Sequence, residues 1–89
     1  MDMAVYGGDL AQLEGLSSKF MGEIDIVDGL QTRITSSLEG TAWTGPAAER
    51  FRTQWSNDFV PALLRLKEAL SESASVVTDR RKAIEMATS

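Results

Sequence analysis

Leu13, Phe20, Val27 and Ile34 recur at seven-residue spacing, and no other feature of the chain restricts its fold as strongly. A seven-residue apolar repeat lays one stripe along an α-helix, and a stripe held over about four repeats has to be covered by another helix. Leu10, Ile24 and Leu38 occupy the neighbouring seam position, which Ser17 and Gln31 interrupt. Asp9 stands where an N-cap is wanted, just before the first periodic residue. The spacing predicts one helix over residues 9–40, about 45–50 Å long at about 1.5 Å per residue.

The second half repeats the pattern. Leu63, Leu70, Val77 and Ile84 share one heptad position. Phe59 and Leu66 share the other seam position, continued by Ser73 and Arg80, and Trp55, Ala62, Ala69, Val76 and Ala83 line the flank. Pro46 suits a first helical turn, where its missing N–H would be unpaired anyway. Glu49 then lies near the positive end of the helix dipole. A second helix is expected over 46–86, with residues 1–8 and 87–89 as flexible ends. Pro61 conflicts with a regular helix, since an interior proline removes a backbone bond and costs about 3 kcal/mol. Two solutions fit: a kink in a nearly continuous helix, which is the preferred reading, or a fresh start capped by Asp58.

Between the helices runs EGTAWTGPAAERF, residues 39–51. Gly45 supplies backbone freedom for a turn, and Pro46 sets the direction of the second helix. Trp43 is expected to fold back over the end of the seam, its indole N–H meeting a carbonyl or water. The predicted fold is therefore all-α: a single domain, 1–89, forming an antiparallel two-helix hairpin.

Composition narrows the chemistry. The 89 residues contain no Cys and no His, so there is no disulfide, no usual transition-metal ligand set and no Ser-His or Cys-His pair. Neither an enzyme nor a cofactor is expected. Glu23, Asp25 and Asp28 read as a solvated acidic stripe. With 9 basic against 13 acidic residues, net charge −4, nucleic-acid binding is not expected. Arg80, Arg81 and Lys82 form the one basic cluster, either complementing the helix dipole or serving as a docking patch. No apolar run exceeds four residues, so no membrane span or stable membrane insertion is expected. The acidic N-terminus does not read as a secretory signal peptide.

A two-helix seam uses two positions in seven, and this chain has more apolar stripes than that. Leu16, Phe20, Leu30, Trp55, Phe59, Ala62, Leu66, Ala69 and Val76 are the candidate residues of an interface with a second hairpin, giving a four-helix bundle. Gly8, Gly15, Gly22 and Gly29 also recur by seven, either as an exposed strip or as a smooth face for close approach.

The Trp43-Thr44-Gly45 triplet lies at the middle of an acidic, helical chain of 89 residues with a long helix on each side. In this the sequence resembles the WXG family, the ESAT-like small helical hairpins exported by ESX (type VII) secretion systems. The resemblance implies that Trp43 and Gly45 lie in the inter-helix turn. It also implies that the protein pairs as a four-helix bundle, is cytoplasmic before export and extracellular after it, and acts by binding proteins. Many exported members or their partners carry a Tyr-x-x-x-Asp/Glu signal after the second helix. Here the one tyrosine is Tyr6, and residues 78–85 contain no such motif. The resemblance then implies heterodimerisation with a sister protein that carries the signal to the secretion ATPase. A homodimeric substrate, or a cytosolic adaptor for a larger type VII toxin, are the alternatives.

Overall fold

The computed structural model describes residues 8–88. Helix α1 spans Leu10–Gly40. Its start is fixed by Asp9, whose carboxylate accepts the Gln12 N–H at 2.9 Å, relieving one of the unpaired donors of a first turn. Past Gly40, the Thr41 hydroxyl donates to the Ser37 carbonyl. The chain then turns through Gly45, whose φ of 108° is costly for any residue with a Cβ. Helix α2, Pro46–Gln54, follows with Pro46 in its first turn. Trp55–Phe59 is a π turn, and α3 runs over Val60–Thr88. The predicted flexible ends fall mostly outside the described residues, but Ala87 and Thr88 are helical, so the second helix runs past 86.

Pro61 explains the π turn. Its ring crowds the carbonyl four residues back and it has no N–H to give. The Val60 N–H donates instead to the Trp55 carbonyl, five residues back, so the backbone widens by one residue just ahead of the proline. Of the two solutions for Pro61, the continuous helix is the one adopted, with Asp58 inside the π turn and not at a new N-cap.

The extra residue resets the seam. Before it, Ala48, Arg52 and Trp55 are the covered positions; after it they are Val60, Pro61, Leu63, Lys67, Leu70, Ser73, Ala74, Val77, Thr78, Arg81 and Ile84. Leu63, Leu70, Val77 and Ile84 are where the heptads put them. The second seam row is Val60, Lys67, Ala74 and Arg81; of the expected row Ser73 is partly covered, while Phe59, Leu66 and Arg80 are exposed. Phe59 and Leu66 are exposed, at 40% and 46%, because the side of the Leu63–Leu70–Val77–Ile84 row that faces α1 is the one carrying Val60, Lys67, Ala74 and Arg81. On α1 the seam is as expected but for one residue: Leu10, Leu13, Phe20, Ile24, Val27 and Leu38 are covered, with Ser17 and Gln31 among them, while Ile34, expected in the seam, is 37% exposed.

The hairpin is a thin rod of 67 × 17 × 15 Å with a radius of gyration of 19.8 Å. A compact domain of this length would have about 12 Å. Among the described residues only Val27, Ala48 and Ala74 are buried hydrophobics. The seam is a single line of contact, and it is mixed in character. Ser17 Oγ donates to the Ala74 carbonyl at 3.1 Å and lies 2.8 Å from Thr78 Oγ1. Lys67 pairs with Asp28, and Arg81 reaches Glu14 at 3.6 Å and Glu85 at 3.2 Å. The long stems of Lys67 and Arg81 cover the seam while their charges lie at its rim.

Candidate functional site

Helical spacing sorts the remaining side chains onto two faces of the rod. One face carries Glu14, Asp25, Asp28, Lys67, Ser71, Ser75 and Lys82, with Met21 and Leu64 as its larger apolar residues. The other carries Leu16, Leu30 and Ile34 from α1 and Phe59, Ala62, Leu66, Ala69 and Val76 from the second helix. On this face Leu16, Leu30, Phe59, Leu66 and Val76 are all exposed in the single chain, Val76 at 52%. Such a continuous apolar strip is characteristic of an interface. The face is not smooth. Toward the open end of the hairpin, Leu16 and Phe20 of α1 and Ala69, Ser73 and Val76 of α3 line a groove.

Two expected interface residues have other duties. Trp55 is half-buried and its indole donates to Thr35 Oγ1 at 3.0 Å, tying the π turn to α1. Phe20 is half-buried in the seam and shows its edge in the groove.

The turn is built differently from expectation. Trp43 does not close the seam: it is 40% exposed, and its indole N–H has no partner among the described residues. Arg52 holds the turn. Its guanidinium donates to the carbonyls of Trp43 at 2.7 Å, Thr41 at 3.1 Å and Leu38 at 3.2 Å. Leu38 is one of the carbonyls that the end of α1 leaves without a helical partner, at the negative end of its dipole; Thr41 and Trp43 lie in the turn just beyond it. The Trp43 ring lies over this arginine, 6.0 Å from its central carbon. Phe51 meets Trp43 at a centroid distance of 5.9 Å and Phe59 at 6.4 Å, and Phe59 meets Trp55 at 6.0 Å. An aromatic ladder thus runs from the turn onto the apolar face. Sequence reasoning missed Arg52. The available signal was an arginine nine residues after Trp43, almost two turns into a helix that folds back on the carbonyl end of another.

Arg80, Arg81 and Lys82 do not form one patch. Arg81 is in the seam between Glu14 and Glu85, Arg80 borders the apolar face beside Val76, and Lys82 lies on the opposite face. The acidic stripe is divided too, since Glu23 pairs with Lys19 at 3.0 Å and Asp28 with Lys67. Gly15 and Gly22 border open space, and a Cβ on either would meet nothing within 4 Å. Among the described residues there is no His, Cys, Asp and Glu grouping that could hold a metal ion, and no helix is long and apolar enough to cross a membrane.

No protein-family model matches the chain, no curated protein is detectably similar to it, and no solved structure matches it.

Proposed function

We propose that the protein is a non-catalytic binding module of the WXG type. It packs its apolar face against a second helical hairpin to make a four-helix bundle, and it is exported by a type VII secretion system as that folded pair. The observation that carries this reading is the face itself: Leu16, Leu30, Phe59, Leu66 and Val76 exposed along one side of a rod whose other side is charged. Each such side chain gains about 1.5–3 kcal/mol when fully covered, which a chain with so small a core needs. The Trp43-Gly45 turn supports the family side of the reading, because Arg52 holds Trp43 outward at the tip of the hairpin.

The test is export. The tagged chain is expressed in a bacterium with a type VII system, with and without its secretion ATPase. Appearance in the medium only when the ATPase is present is the expected result. Equal release from both strains rules the export reading out.

A further inference from the structure

Gly8 fixes where the chain enters the hairpin. Its backbone lies across the open end of the seam: a Cβ there would fall 2.9 Å from Leu13 Cδ1 and 3.3 Å from Ile84 Cδ1. The entering chain therefore meets α3 as well as α1, and the residues before Gly8 set out from beside Ile84. One to three helical turns further along α3 lies the groove of the apolar face, 430 Å³ in volume. Leu16 and Val76, two of its lining residues, are 45% and 52% exposed. Phe20, Ser73 and the exposed Glu72 also line it.

The sequence before Gly8 is MDMAVYG. In an extended chain alternate side chains face the same way, so Met1, Met3 and Val5 share one side and Asp2, Ala4 and Tyr6 the other. An extended chain advances about 3.3 Å per residue and a helix about 1.5 Å. Val5 stands three residues before Gly8, about 10 Å away when extended. Val77 stands seven residues before Ile84, about 10 Å along the helix. Met3 stands five residues before Gly8, about 17 Å away, and Ser73 eleven before Ile84, about 16 Å along the helix. Val5 and Met3 thus come level with the groove on one side of the segment. Asp2 falls on the other side, so its carboxylate is not pressed against Glu72. At this level the opposite face of the rod carries Glu14, Ser71, Ser75 and Lys82, and offers Met and Val nothing to bury against.

We propose that residues 1–7 form an extended strap that folds back along the apolar face and seats Val5 and Met3 in the groove beside Phe20. Methionine suits an irregular groove with an aromatic edge in it. The strap covers the open-end part of the face in the single chain, so a second hairpin has to displace it before packing there. The inference goes beyond the pairing reading and does not depend on it.

The chain lacks cysteine, so a pair of introduced thiols reports the strap. In the full chain, Met3→Cys with Ser73→Cys should close to a disulfide within one molecule under mild oxidation, at a rate independent of protein concentration. Met3→Cys with Ser75→Cys, whose second thiol lies on the charged face, should close about tenfold more slowly, since docking raises the effective concentration at the groove alone. Adding Val5→Asp to the first pair should slow it to the rate of the second. Equal rates for the two pairs would overturn the proposal. So would closure of the first pair only between molecules, seen as a two-chain mass under non-reducing denaturing conditions. A first-pair rate indifferent to Val5→Asp would overturn the seating of Val5. None of these outcomes bears on whether export needs the ATPase, so the pairing reading stands or falls separately.

Discussion

Arg52 is the residue on which the turn depends. It serves three carbonyls at once, and charge-assisted hydrogen bonds are the stronger kind. Removing it leaves the end of α1 without its donor, so Arg52→Ala is expected to cost about 1.5–3 kcal/mol, read as a lower urea midpoint. Trp43→Ala loses mainly a ring contact with Phe51 and the arginine, worth about 1 kcal/mol. The ordering, arginine above tryptophan, is the opposite of what a tryptophan closing the core would give. In the seam, Ser17→Ala leaves Thr78 without its partner and is expected to cost about 1 kcal/mol. The turn glycine, the proline at the start of α2 and the Asp9 cap were all legible in the sequence, because each works through its own backbone. Arg52 was not, because its partners lie up to fourteen residues away and only the returned chain brings them near.

At the scale of elements, the α1 stripe was readable except at Ile34, which is 37% exposed. The second helix was readable in half. Apolarity pointed to Phe59 and Leu66 as the second row, whereas the row that meets α1 carries Lys67 and Arg81, whose stems do the covering. Proline signalled trouble at 61 but not its form. The π turn makes a sharp prediction. Deleting exposed Asn57 restores α spacing between Trp55 and the seam beyond it, yet places Pro61 inside a regular helix, costing up to about 3 kcal/mol. Pro61→Ala in that background removes the clash and should recover most of the loss, whereas Pro61→Ala alone should change stability by less than about 1 kcal/mol. A double-mutant cycle by chemical denaturation measures the coupling. Little or no coupling would show that the π turn does not answer to the proline.

Taken as a whole molecule, the hairpin concentrates exposed apolar side chains on one side, with Glu72 and Arg80 beside them, and on the proposed reading its stability depends on what covers that side. Leu66→Glu sets a carboxylate at the middle of the exposed apolar face. On the proposed reading it should reduce the mass of the pair to that of one chain and lower its thermal midpoint. Ser75→Glu, on the charged face, should do neither. The surplus stripes announced an exposed apolar face; its outline was not legible, because Phe59 and Leu66 were assigned by their apolarity to the inner seam, where the structure puts Val60 and Lys67.

The slenderness of the rod carries a last consequence. At 17 × 15 Å across its backbone, two such rods laid face to face stand only about 30 Å thick and hardly longer than one. On the proposed reading, pairing doubles the mass while keeping a profile that can be threaded lengthwise, so a conduit for the folded pair would need a bore only a few helices wide.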